Sequence, residues 1–221
     1  MMQNQNEWLE LHKDKRHQPK YPSDDVVTFV FKNFSRGGTI LDLGCGAGRH
    51  VKFLSEVGYD AYGCDYSQNG IIATKSLLEE NSLNAKLDVT SVSDLPYSDN
   101  FFDGLICYGV LYYNTKEIIQ KAANEIHRVL KPGSKAYVVV RNLDDYRYKD
   151  SIKESVYQVT INESDQSRSA FKENGMPMYF FDKDEVKRIF SKFKNIEINR
   201  ILRSHENDSF ADDDYAITLT K

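Results

Sequence analysis

Residues 39–49 read TILDLGCGAGR, and the organisation of the whole chain follows from them. An apolar run (Ile40, Leu41, Leu43) leads into three glycines at the spacing Gly44-x-Gly46-x-Gly48, followed by Arg49 and an amphipathic segment. That order predicts a buried strand, a tight turn and a helix N-terminus. Glycines in such a turn accept positive φ and let a ligand lie against the backbone. The helix beyond aims its unpaired N–H groups at whatever occupies the turn. The stretch therefore reads as a cradle for a nucleotide-type ligand.

The neighbouring residues narrow the ligand. A triphosphate loop would end in Gly-Lys-Ser/Thr, whereas Gly48 is followed by Arg49 and His50. A dinucleotide turn would read G-x-G-x-x-G, and here the third glycine comes one position early, with Asp42 two positions before Gly44. Asp65 closes the next apolar run, 17 residues beyond Gly48. A carboxylate at the tip of a second strand is placed to accept from both hydroxyls of a ribose. Its plainer role is to cap the helix that begins near Ser67.

The pattern Asp42-x-Gly44-x-Gly46-x-Gly48 resembles the first motif of the class I S-adenosylmethionine-dependent methyltransferases. Residues 91–103, SVSDLPYSDNFFD, resemble the family's second motif through Leu95-Pro96 and Phe102-Asp103. Residues 128–133, RVLKPG, resemble its third, which turns a helix into the fifth strand. Together they span about residues 38–142. The resemblance implies a doubly wound, Rossmann-like α/β fold: a seven-stranded, mainly parallel sheet with helices on both faces and an antiparallel last strand. It also implies S-adenosylmethionine as cofactor, S-adenosylhomocysteine as product, and in-line transfer of a methyl group. Asp42, Gly44, Cys45, Gly46 and Gly48 would hold the methionine part and Asp65 the ribose, with Tyr66 and Tyr108 also against the cofactor. Ser91 stands where the family has an acid, so Asp88, Ser91 or Asp94 would meet the adenine amine, beside the Val92 N–H.

Around this centre the chain divides into four parts: an N-terminal helical lid (1–36), the cofactor half (37–142), a substrate cap (143–181), and a closing helix with a strand hairpin (182–221). In the lid, Trp8, Leu9 and Leu11 suggest a short helix, and Arg16 and Tyr21 are placed to close over the cofactor. Residues 115–130 carry Ile119, Ala122, Ala123, Ile126 and Val129 at helical spacing. The cap is polar and lacks a period; it leaves the end of strand five, and the competing reading is a disordered loop. Tyr108, Tyr112, Tyr113, Arg141 and Asp145 are the substrate-side candidates, with His12, His17 and His205 if the termini fold over. None can be assigned as a base.

Composition sets the outer limits. With 221 residues, 40% hydrophobic and 28% charged, the chain is long enough for one α/β domain. A net charge of -4 without a basic block speaks against wholesale nucleic-acid binding. No Pro-Pro-Tyr-type motif follows the fourth strand, where the sequence is Tyr108-Gly109-Val110-Leu111. The expected acceptor is therefore a small molecule with an oxygen or nitrogen nucleophile. Two alternatives stay open: a non-catalytic protein that binds the cofactor or a partner on this fold, and a nicotinamide-dependent oxidoreductase. Three cysteines at central strands read as reduced thiols in a cytoplasmic protein, with no membrane span, acting as a monomer or homodimer. No metal site is expected, and Asp212-Asp213-Asp214 reads as a solvated turn.

Overall fold

The computed structural model describes residues 19–221. Arg16, His12, His17 and the helix around Trp8 lie outside the described residues. The large sheet has seven strands in the order β3-β2-β1-β4-β5-β10-β9. These are β1 (Thr39–Leu43), β2 (Asp60–Asp65), β3 (Lys86–Val89), β4 (Phe102–Tyr108), β5 (Leu130–Arg141), β9 (Asn195–His205) and β10 (Phe210–Thr220). β1 lies between β2 and β4, parallel to both, and Ile40, Leu41 and Leu43 are fully buried. β10 is antiparallel to both β5 and β9. It is the antiparallel strand expected at the chain's end.

Helices cover both faces. On one face α1 (Asp24–Asn33), α2 (Arg49–Glu56) and α3 (Gln68–Glu80) bury Val26, Phe29, Val30, Val51, Leu54, Ile71 and Leu78 against Ile40, Ile106 and Val139. On the other, α4 (Lys116–Val129) buries the residues its periodicity selects, Ile119, Ala122, Ala123, Ile126 and Val129. Each such side chain removed from water stabilises the fold by roughly 1.5–3 kcal/mol. α6 (Lys183–Ile189) closes this face, its Asp182 N-cap accepting from Glu185 N–H at 2.7 Å.

Register fixes which side chains share a face. Asp42 pairs with Gly63 and Ile106, Tyr108 with Val139, and Arg141 with Asp214. Paired residues point the same way, as do residues two apart on one strand. Asp42, Asp65, Tyr108, Arg141 and Asp214 therefore occupy one face near the carboxyl ends of the parallel strands.

Two sequence expectations need correction, and one alternative is settled. Lys131-Pro132-Gly133 does not separate α4 from β5; it lies within the strand. Phe102 pairs with Leu130 and Gly104 with Lys135, so residues 131–134 bulge out, and Gly133 N–H donates to Lys221 O. The acidic triplet is no solvated turn but part of β10, with Asp213 only 1% exposed. The cap is not a disordered loop. It has its own three-stranded sheet of β6 (Ile152–Lys153), β7 (Gln158–Thr160) and β8 (Pro177–Tyr179), with α5 (Tyr146–Asp150) at its start. Val159, Met178, Phe180 and Phe181, all fully buried, tie it to the main core.

Candidate active site

The glycine turn is held by its neighbours. Gly44 and Cys45 both donate backbone N–H groups to Cys64 O, at 2.8 and 3.0 Å, so the turn hangs on β2. Gly44 has φ +77° and Gly48 has φ +87°, a region L side chains rarely adopt. A Cβ on Gly44 would lie 2.4 Å from Val110 Cγ2, and one on Gly48 would lie 2.6 Å from Thr74 Cγ2. Thr74 also donates its hydroxyl to Gly46 O at 2.8 Å. Nothing but glycine suits either position.

Asp65 braces this turn. Its Oδ2 accepts from Gly46 N–H at 2.9 Å and its Oδ1 from Ser67 N–H at 2.8 Å. Ser67 itself caps α3, accepting from Gly70 N–H at 3.2 Å. Asp65 is thus a strut between two strand ends. Next to it the Tyr66 hydroxyl is buried without a partner among the described residues, and burial and then Asp65 raise its pKa.

Asp42 is the less satisfied acid. It is 2% exposed and its Oδ2 has no hydrogen-bond partner among the described residues. Oδ1 faces His50 Nδ1 at 3.8 Å, beyond hydrogen-bond reach. Ser23 N–H donates to His50 Nε2 at 3.3 Å, which assigns the ring proton to Nδ1, on the Asp42 side. An orphaned carboxylate oxygen beside a glycine turn suits a ligand's ammonium group. The Cys45 thiol lies in the same turn and stays protonated, because burial and then Asp42 and Asp65 push its pKa up.

The predicted adenine contacts are engaged within the protein. Asp88 Oδ2 accepts from the Tyr97 hydroxyl at 2.9 Å, and Ser91 Oγ lies 2.9 Å from Ser93 Oγ. Asp94 is exposed, and Val92 is buried in the loop between them. Tyr21 is 82% exposed.

At the end of β4, Tyr108 lies under Arg49, whose guanidinium is 5.1 Å from the ring centroid, and meets His50 edge-on at 5.5 Å. Beyond Gly109 a 3₁₀ turn, Leu111–Tyr113, carries Tyr112 against the Arg141 guanidinium at 4.8 Å. The Tyr113 hydroxyl donates to Glu173 Oε1 at 2.7 Å. Burial pushes the Tyr112 hydroxyl up to about 12, and burial and then Glu173 raise Tyr113 further. Both tyrosines stay protonated.

Arg141 and Asp145 belong to a buried ionic network absent from the sequence reading. Arg141 Nη1 donates to Asp145 Oδ2 at 3.1 Å. Arg147 donates to Glu173 and Asp212 at 2.6 Å each and to Ser169 Oγ at 2.7 Å. Asp145 also accepts from the backbone N–H groups of Arg147 and Asp213, at 2.9 and 3.0 Å. His205 Nε2 meets Asp212 at 2.9 Å. Burial opposes ionisation of Glu173 and Asp212, but the arginines outweigh it and hold both below the usual carboxylate range. Asp214 is the exception: burial lifts its pKa to about 6 against the pull of Arg141, with Asp145 and Asp212 adding to the rise. Only a polar residue alternating within an otherwise apolar strand could have signalled Asp214, and nothing in the sequence signals Arg147 or Glu173.

Residues 40–133 match the family profile described as a methyltransferase domain. This segment is a methyltransferase domain. Its limits coincide with the motifs that build the glycine turn, Asp65 and the bulge into β5. The chain is 36% identical over 110 residues to a 2-phytyl-1,4-naphtoquinone methyltransferase of Nostoc punctiforme, covering 47% of this chain and 46% of that one. It is 30% identical over 170 residues to a tRNA N(3)-cytidine methyltransferase of Danio rerio, covering 73% and 46%. The chain spans about half the length, or less, of the curated relatives it matches. Its fold is shared with a Burkholderia thailandensis 1,6-didemethyltoxoflavin-N1-methyltransferase, solved with its substrate and S-adenosylhomocysteine (TM-score 0.71, 15% identity, 98% and 86% coverage). A Methanosarcina mazei S-adenosylmethionine-dependent methyltransferase is similar too (TM-score 0.68, 18% identity, 91% and 98% coverage). Among the described residues, no helix is long and apolar enough to cross a membrane.

Proposed function

We propose that the chain binds S-adenosylmethionine at the glycine turn and transfers its methyl group to a small-molecule oxygen or nitrogen nucleophile. The observation that carries this reading is the orphaned Oδ2 of Asp42 beside a turn that no side chain but hydrogen fits. Asp42 would take the ammonium of the cofactor's methionine part, the backbone of Gly44 to Gly48 would lie against it, and Asp65, at the tip of β2, would face the ribose. Tyr66 would offer its unpartnered hydroxyl nearby. When bound, the cofactor supplies a methyl carbon on a positively charged sulfur, which needs no activation by the protein.

The chain's own contribution is then alignment and exclusion of water. Tyr108 and the Leu111–Tyr113 turn would orient the acceptor, while the cap covers them. The acceptor must lose a proton, and a carboxylate close by assists that loss. The negative net charge and the acids of the site support a small, non-polyanionic acceptor over RNA.

Calorimetric titration with S-adenosylmethionine, S-adenosylhomocysteine and a nicotinamide dinucleotide tests the cofactor. Binding of the first two at about micromolar affinity, without the third, is expected. Binding of the dinucleotide alone refutes the reading. Incubation with labelled cofactor and either a metabolite extract or bulk tRNA separates the acceptor classes; label in the tRNA alone overturns the small-molecule assignment.

A further inference from the structure

Among the described residues, two buried polar atoms on neighbouring strands have no partner, Nε of Arg141 on β5 and Oδ1 of Asp214 on β10. Arg141 is only 8% exposed. The two residues are register partners, so they stand side by side on the face that also carries Asp42 and Tyr108. Their neighbours are engaged: Asp145 with Arg141 and Arg147, Glu173 with Tyr113 and Arg147, Asp212 with Arg147 and His205. What remains is one N–H donor beside one carboxylate acceptor. A buried polar atom left unmatched costs about 1–3 kcal/mol, which a ligand with the complementary edge removes.

We propose that Arg141 Nε and Asp214 Oδ1 together hold the methyl acceptor, a small molecule that presents a hydrogen-bond acceptor next to an N–H or O–H. The edge of a lactam or of a hydroxy-substituted nitrogen heterocycle has this pattern. The inference rests on the methyl-transfer reading and assigns its substrate class and proton acceptor. As the nitrogen or oxygen bonds to the methyl carbon, the electron pair of the breaking carbon–sulfur bond stays on sulfur. The electrons of the N–H or O–H bond stay on the acceptor, and its proton passes to Asp214 Oδ1. A carboxyl with a pKa of about 6, raised by burial, accepts a proton near neutral pH far better than an ordinary surface acid. The charged groups around it are Arg141 on β5, Asp145 and Arg147 at the start of α5, Asp212 on its own strand and Arg203 on β9. Arg203 is hydrogen-bonded to Tyr108, and Tyr112 stays neutral beside Arg141.

The probes are 2-pyridone and N-methyl-2-pyridone, titrated calorimetrically into protein saturated with S-adenosylhomocysteine. The pair differs in the donor that Asp214 would receive. 2-Pyridone should bind at least about tenfold more tightly, and its affinity should weaken as pH falls through about 6. Asp214→Ala should erase the difference between the probes. Asp214→Asn, which keeps an acceptor oxygen, should retain part of it and lose the pH dependence. Unchanged affinity for S-adenosylhomocysteine in both variants reports that they are folded. Equal binding of the two probes, no binding of 2-pyridone up to about 10 mM, or undiminished discrimination in Asp214→Ala overturns the proposal. If the wild-type chain fails to bind S-adenosylhomocysteine, the methyl-transfer reading falls first and this inference with it.

Discussion

Replacing Gly44 by alanine tests whether the turn after β1 is locked by the segment after β4. Two costs add. The residue has φ +77°, and holding an L side chain there costs roughly 1–2 kcal/mol. The new Cβ would lie 2.4 and 2.7 Å from the two Cγ atoms of Val110 and 3.0 Å from its Cβ. Overpacking of that kind costs about 1–3 kcal/mol. The sum, about 2–5 kcal/mol, is a large part of a typical domain stability of about 5–15 kcal/mol. Val110→Ala separates the two costs, because it removes the clashing methyl groups and leaves the backbone strain. By itself it loses about 1–2 kcal/mol of burial. In the double variant the steric part should disappear, giving a favourable coupling of about 1–3 kcal/mol. Urea unfolding of the four proteins, with S-adenosylhomocysteine affinity measured in parallel, reads the cycle. Effects that add to within about 0.5 kcal/mol would show that Val110 does not press on the turn.

Three further outcomes follow from the same geometry. Asp42→Asn should weaken S-adenosylhomocysteine binding by tenfold or more while leaving urea stability equal or higher, since it removes an incompletely paired buried carboxylate; a parallel loss of both would make Asp42 structural. Asp214→Asn should stabilise the unliganded chain at pH 7. A folded pKa of about 6 against 3.8 unfolded means that stability is lost as pH rises between these values, with the penalty complete above about 6. The gain should be on the order of 1–3 kcal/mol at pH 7 and vanish near pH 3, and a gain independent of pH in thermal melts would contradict it. Arg147→Ala leaves Glu173 and Asp212 buried with less compensation, and should cost about 3–5 kcal/mol in unfolding experiments, with protease cuts appearing first in the cap. A loss below about 1 kcal/mol would mean that water takes over its role.

The cofactor half was legible because its physics is local. A turn that needs positive φ demands glycine, a helix face demands apolar residues at its own period, and both leave marks in a few consecutive positions. Asp65 was singled out because it ends an apolar run, and Asp42 because it opens the motif Asp42-x-Gly44-x-Gly46-x-Gly48. The network around Arg147 could not, since its members come from α5, the Ser169–Glu173 turn and β10. Each is an ordinary charged residue in its own neighbourhood. Asp212-Asp213-Asp214 was misread for the same reason: three acids in a row signal solvent until strand pairing turns Asp213 to the bidentate Arg200 and its neighbours to the other face. The 131–134 bulge was missed because Pro-Gly marks a turn equally well between elements and within a strand.

The charge lock between the cap and β10 also bears on how such a protein changes its substrate. A loop attached only at its ends can lengthen or shorten at little cost to the rest of the chain. Here, moving residue 145, 147 or 173 by one position would strand carboxylates and guanidinium groups in a dry interior. The cap is therefore held to a fixed length. On the proposed methyl-transfer reading, new acceptor preferences would have to arise by exchanging individual side chains on a constant wall, first among them Tyr112, which makes no ion pair.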